Sequence, residues 1–155
     1  MKSQTSYSMV LEEPVGRVWA TVRDFNSYPV WVEDVTESRI EGDLPGTTVG
    51  AVRDFVIGGF HVRQRLLAHS DVDRAFTFES CEPMELEDES GRTRTLHAYR
   101  GTVALRAVDD GDRCFAEWST VFECPSDDHE FWNHWWATAV PGWLGSLRDH
   151  LQLAG

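Results

Sequence analysis

Residues 49–69 read VGAVRDFVIGGFHVRQRLLAH, and this stretch decides the fold. Two extended runs, Val49–Ile57 and Phe60–His69, flank the dipeptide Gly58-Gly59. Two residues free to take positive φ between runs rich in β-branched and aromatic side chains predict a tight antiparallel hairpin. In the second run Phe60, Val62, Gln64, Leu66 and Ala68 alternate with His61, Arg63, Arg65, Leu67 and His69. One face is therefore covered and the other wet. In the first run Arg53 falls in phase with Val49, Ala51 and Phe55, on the covered face. An arginine and a glutamine thus occupy inward positions, where burial without partners is costly. A wet, ligand-sized cavity beneath the sheet removes that cost; so does a core carboxylate paired with Arg53.

Working outward, turn residues recur at Gly42–Gly46, at Ser70-Asp71, around Glu87–Gly91 and at Asp109-Asp110-Gly111-Asp112. Between them lie the extended runs Ala75–Cys81, Leu96–Val108 and Cys114–Glu123. In the last run Cys114, Ala116, Trp118, Thr120 and Phe122 share one face, with Glu117, Ser119 and Glu123 on the other. Adding a first strand over 3–11 and another at Val35–Ile40 predicts about seven antiparallel strands. Glu13-Pro14 opens a helix with Pro at its first position, and Val15, Val18, Trp19 and Val22 form its apolar stripe. Asn26-Ser27-Tyr28-Pro29 ends it, and a short turn at Val30-Trp31-Val32 follows.

Residues 127–152 predict a long last helix, with Asp127, Asp128 and Glu130 in its first turn and Arg148 near its end. Its apolar stripe runs from Phe131 and Trp132 to Leu151 and rotates between the two halves, with Pro141 at the changeover. That is the pattern of a kinked helix wrapping a curved sheet. The acidic run Glu85–Ser90 (ELEDES) reads as a solvated loop. The expected class is α+β, one domain over 1–155, with a curved antiparallel sheet around the C-terminal helix.

Of the 155 residues, 41% are hydrophobic and 12% aromatic, including seven Trp and eight Phe. That is too apolar for a disordered chain and too short for two well-cored domains. Fourteen Lys and Arg against 26 Asp and Glu give a net charge of −12, which excludes a nucleic-acid or anionic-membrane partner. Three Cys argue against a disulfide scaffold, and Cys114 reads as core packing. No apolar run of signal-peptide or bilayer-spanning length occurs, so the expectation is a cytoplasmic protein, monomer or homodimer.

Metal and nucleophile motifs fail on spacing. His129 and His134 are five residues apart and point away from each other on a helix, so they do not share a metal. Gly142–Ser146 (GWLGS) lacks the spacing of a nucleophile elbow. No metal site and no cofactor are expected.

Several stretches together carry a family resemblance: Pro14–Ala20 (PVGRVWA), Asp24–Val32 (DFNSYPVWV), Val49–Arg53 (VGAVR), Arg63–Asp71 (RQRLLAHSD) and Glu117-Trp118-Ser119. In these the chain resembles the SRPBCC superfamily of START-type, helix-grip proteins, and within it the polyketide cyclase/dehydrase and lipid-transport branch. The resemblance covers nearly the whole chain. It implies a sheet gripping the C-terminal helix, two short helices after the first strand, and a central cavity for a hydrophobic or aromatic small molecule. It also implies a place in secondary-metabolite biosynthesis. Two departures stand out: Gln64 occupies a position that is commonly Glu in similar sequences, and Glu85–Arg94 resembles an insertion that either alters the cavity rim or is a solvated loop.

Within that frame, folding and cyclising a poly-carbonyl chain requires shape, enolate stabilisation and proton movement. Arg53 is the candidate enolate clamp, or else half of a structural ion pair. Gln64 and Tyr99 are candidates for orienting oxygens, with packing the other reading of Tyr99. Trp31, Phe55, Phe78, Trp118, Trp136, Val140 and Trp143 are the candidate ligand walls, each of which also reads as core. His69 and His97 titrate in the useful range, but His69 shares a face with Arg63 and Arg65 and is expected in solvent. Two functions follow. One is a cofactor-independent polyketide cyclase/dehydratase-like enzyme; the other is a non-catalytic carrier of a lipid-like or aromatic molecule. An interaction module without a ligand is a third.

Overall fold

The hairpin predicted at Gly58-Gly59 is present in the computed structural model, which describes residues 1–109 and 112–154. Strand β3 (Val52–Ile57) pairs with β4 (Phe60–Ser70), Ile57 opposite Phe60, and both glycines have positive φ, 54° and 86°. The same register sets Arg53 directly opposite Gln64. The remaining elements are β1 (Lys2–Leu11), α1 (Val15–Val22), α2 (Tyr28–Trp31), β2 (Val35–Ile40), β5 (Ala75–Ser80), β6 (Met84–Glu87), β7 (Thr93–Val108), β8 (Arg113–Glu123) and α3 (His129–Ala154). The antiparallel sheet runs β1-β8-β7-β5-β4-β3-β2, with β6 pairing on β7. The fold is α+β, with a large antiparallel sheet and one long C-terminal helix.

The α1 stripe Val15, Val18, Trp19 and Val22 is buried as its spacing requires. Pro14 caps the helix from outside, and α2 begins at Tyr28, carrying Pro29 in its first turn. Helix α3 starts at His129, after a 3₁₀ turn holding Asp127 and Asp128. It continues through Pro141, because the carbonyl that loses its helical donor belongs to exposed Ala137. Its buried residues, Trp132, Trp136, Val140, Leu144, Leu147 and Leu151, mostly step by four, so the contact stripe winds around the axis as expected. Trp136 meets Tyr99 of β7 at 4.5 Å between ring centroids, and Trp143 meets Trp118 of β8 at 5.1 Å. These contacts lay α3 across the inner face of the β7–β8 ladder. The buried apolar side chains form one cluster, with Cys114 fully inside it.

Four local expectations are corrected. Val49 is 59% exposed and precedes the strand. Gly50, at φ 94°, turns the chain before β3 begins, which takes Val49 out of phase with Arg53. The register of β4 on β5 shifts between Leu66 and Ala68. A bulge inverts every later side chain, so Ala68 faces out and His69 turns inward. The His69 ring sits 5.4 Å from Trp19, with Nε2 3.2 Å from the Arg23 carbonyl. Third, Glu85–Ser90 is not a plain solvated loop: Met84–Glu87 forms β6 against Thr93–Leu96, with Met84 and Leu86 half-buried and both glutamates out. The sheet consequently gains an eighth strand. Fourth, Arg53 has no carboxylate partner among the described residues. The expected turn at Asp110-Gly111 lies outside the described residues. Among the described residues, no helix is long and apolar enough to cross a membrane.

Candidate functional site

A cavity of about 500 Å³ opens between α3, the end of α2, the β3–β4 hairpin and β6. Its inner end is made by the buried side chains Tyr28, Phe55, Gln64, Tyr99, Trp118 and Trp136. Trp135 and Trp143 of α3 are half-buried along its length, facing Met84 and Leu86 of β6. At the mouth are the exposed residues Glu33, Asp34, Phe60, His61, Glu82 and Glu85.

Arg53 lies one layer behind this wall, only 1% exposed. Its Nε and Nη2 donate to Gln64 Oε1 at 2.9 and 2.7 Å, Nη1 to the Phe25 carbonyl at 3.1 Å, and Nη2 to the Tyr28 hydroxyl at 2.8 Å. The guanidinium carbon also sits 3.8 Å from the Phe25 ring centroid and 3.7 Å from that of Tyr28, cation–π distances. Every one of these partners is neutral. Burial pushes the Arg53 pKa down to about 10, which still leaves it cationic at neutral pH.

That cation sets the orientation of its neighbours. A guanidinium offers only donors, so the amide oxygen of Gln64 must face it and Nε2 is the end left without a protein partner. Tyr28 accepts from Arg53, which leaves its own proton for another acceptor. Burial raises the pKa values of Tyr28 and Tyr99, in each case against the pull of Arg53. Both phenols are therefore neutral donors at physiological pH. Trp118 Nε1 donates to the Tyr99 hydroxyl at 3.4 Å. The indole N–H of Trp136 is buried with no hydrogen-bond partner among the described residues.

Of the residues singled out from the sequence, Gln64, Tyr99, Phe55, Trp118, Trp136 and Trp143 line the cavity together. Arg53, Trp31, Phe78 and Val140 stand behind it. Trp31 packs edge-on against Tyr28 and donates to Ser27 Oγ at 3.0 Å. Phe78 lies under Arg53 and edge-on to Tyr99, and Val140 is core on α3. His97 is exposed beside the bulge of β7.

Sequence reasoning missed Tyr28, because the following proline marked it as a helix end. It also missed Gly101: a Cβ there would meet the Phe78 ring at 2.4 Å and the Tyr99 hydroxyl at 2.8 Å. Ser146 went unnoticed too; its hydroxyl donates to the Trp31 carbonyl at 2.6 Å and accepts from the Glu33 N–H at 3.1 Å, tying α2 to α3.

A family model described as polyketide cyclase / dehydrase and lipid transport matches residues 4–152. The chain belongs to that family. No curated protein matches it. Among solved structures, a protein of Nitrosospira multiformis is similar at a TM-score of 0.75 and 24% identity, over 95% of this chain and 94% of its own. Norcoclaurine synthase from Thalictrum flavum, in complex with dopamine and hydroxybenzaldehyde, is similar at 0.72 and 12% identity, over 99% of this chain and 88% of the synthase. The di-domain ARO/CYC BexL of the BE-7585A biosynthetic pathway is similar at 0.75 and 11% identity, over 97% of this chain and 47% of BexL. At such identities the likeness is one of fold. In this member of the polyketide cyclase / dehydrase and lipid transport family, the inner end of the cavity is lined by polar side chains that carry donors, and the carboxylates that line it stand at the mouth.

Proposed function

We propose that the protein binds a flat, largely apolar small molecule in this cavity, with an oxygen acceptor of the ligand seated at the inner end. The observation that carries this reading is the set of buried polar side chains Tyr28, Gln64 and Tyr99 closing an aromatic-walled space of about 500 Å³, a size suited to a small-molecule ligand. The tryptophans supply flat contact surface and the donors fix orientation. Family membership is in keeping with such a ligand.

A second reading, cyclisation or dehydration of that ligand without a cofactor, is favoured by one contact. Arg53 donates to the Tyr28 hydroxyl at 2.8 Å. A developing enolate placed against that phenol would feel a cation through one hydrogen bond in a dry site. Against it, the buried lining residues include no carboxylate or imidazole, and Gln64 does not take a proton at neutral pH. Chemistry here would rest on electrophilic stabilisation, with the proton passing to solvent or to the substrate itself.

Native mass spectrometry of the purified protein, with tryptophan quenching by 2-acylnaphthalenes, tests binding. A retained small molecule or saturable quenching is expected; neither being seen would end the reading. Incubation with a linear β-polycarbonyl compound separates the two functions. Loss of water from the substrate, slowed about 100-fold in Tyr28→Phe with affinity within about tenfold, identifies an enzyme. Unchanged substrate identifies a carrier.

A further inference from the structure

The cavity lining sorts by charge with depth. No acidic group lies among the buried side chains at its inner end, and the cation behind them, Arg53, has only neutral partners. One side chain there presents an unspent donor to the cavity. Gln64 is 5% exposed, with its amide oxygen committed to Arg53 and Nε2 without a partner among the described residues. A donor at that depth is best satisfied by a ligand that supplies an acceptor.

The mouth has the opposite sign. Its exposed lining includes Glu33, Asp34, Glu82 and Glu85. The basic side chains nearby are already engaged: Arg63 pairs with Glu41 at 2.7 Å and with Glu82, and His61 lies against Asp54. Glu33, Asp34 and Glu85 have no cation within ion-pair distance among the described residues. They come from two separate parts of the chain, the segment after α2 and strand β6, so the acidic rim is not one local charge run. An anion approaching the cavity meets that rim first. A cation anchored there leaves an aromatic body free to reach the donors within.

We infer that the ligand is two-ended: a carbonyl-bearing aromatic body that enters first, and an ammonium group that stays at the mouth against Glu33, Asp34 and Glu85. This rests on the proposed binding role of the cavity and adds the charge of the molecule it takes. Free fatty acids and nucleotide-linked thioesters, whose charge is negative, are disfavoured.

Three 2-acylnaphthalenes sharing ring and carbonyl, and ending in trimethylammonium, hydroxyl or carboxylate, test it by tryptophan quenching. At low salt the ammonium compound should bind about tenfold or more tighter than the carboxylate. That ratio should shrink to about twofold at about 0.5 M salt, where screening acts over a few ångströms. The triple variant Glu33→Gln, Asp34→Asn, Glu85→Gln should bring the low-salt ratio close to one. A control triple at exposed positions away from the cavity, Asp73→Asn, Glu123→Gln, Asp149→Asn, removes the same charge and should keep it. Should the rim triple not fold, the single exposed Glu85→Lys should still lower the ratio. A wild-type ratio of one, tighter carboxylate binding, or equal loss in the control triple would overturn the inference while the hydroxyl compound still binds. Binding by none of the three compounds would overturn the cavity reading as well.

Discussion

At the scale of single residues, Arg53 is a buried cation whose hydrogen-bonding side-chain partners are Gln64 and Tyr28. Removing the Gln64 amide leaves donors buried without an acceptor, whereas a carboxylate there gives the guanidinium an anion. Gln64→Leu should therefore lower the unfolding free energy by about 3 kcal/mol, and Gln64→Glu by no more than about 1 kcal/mol. Urea denaturation of both variants checks this; equal losses would mean that the hydrogen bonds to Arg53 contribute little. The phase of β3 and β4 made both residues legible from the sequence, because a polar residue on an apolar face is conspicuous. Their depth was not legible. Whether such a residue faces the cavity or stands behind it depends on Tyr28 and Phe25, 25 and 28 residues from Arg53 in the chain.

At the scale of elements, a buried carboxylate is one of the ties between the β6–β7 hairpin and the start of α3, beside the Arg94 bond to the Asp127 carbonyl and the Trp132 bond to the Thr95 carbonyl. Asp128, 3% exposed, accepts from Arg94 Nη1 at 3.0 Å, from Arg92 Nη2 at 3.3 Å and from the Thr95 N–H at 3.3 Å. Arg94 also reaches Asp88 in the hairpin turn at 2.9 Å. Asp128→Asn keeps the shape and removes the charge. Amide exchange at Thr93–Leu96 should then quicken by about tenfold, a local opening of about 1.4 kcal/mol, while the β1–β8 amides stay protected. Uniform change across the sheet would show that the contact supports global stability instead. This hairpin escaped the sequence reading because four residues with two glutamates satisfy a charge-run pattern as well as a strand pattern. The bulges at Leu66/Ala68 and His97/Arg100 escaped it because one inserted residue leaves no compositional trace. The Gly58-Gly59 turn and the α1 stripe were legible, since each is specified by adjacent or periodic residues alone.

At the scale of the whole molecule, alternation and turn spacing sufficed for the architecture, because a long antiparallel meander followed by one apolar helix has few ways to bury both faces. Stability at alkaline pH is also a property of the whole core. Burial pushes the Cys114 thiol up to about 11 and raises the Tyr28 and Tyr99 phenols above their ordinary range. The folded state holds these protons more tightly, so the Cys114 contribution is complete below about pH 9 and is lost as pH rises through 11, and that of the two phenols is lost in the same direction as pH rises above their ordinary range. Arg53 acts in the opposite sense, since its lowered pKa makes folding easier as pH passes about 10. The thiols of Cys81 and Cys124 are raised by burial as well, so the raised groups outnumber Arg53 and predict a falling urea midpoint between pH 9 and 11. Cys114→Ala should flatten that slope even though it lowers stability overall. A slope unchanged by the substitution would remove the thiol from the account.

The first strand pairs with the last one along its whole length, from Lys2 opposite Glu123 to Leu11 opposite Cys114. A ribosome finishes the one long before it makes the other. At about 5–20 residues per second, β1 waits on the order of ten seconds for its partner. Throughout that interval its backbone is an open template, and the sheet cannot close until Arg113–Glu123 has been made.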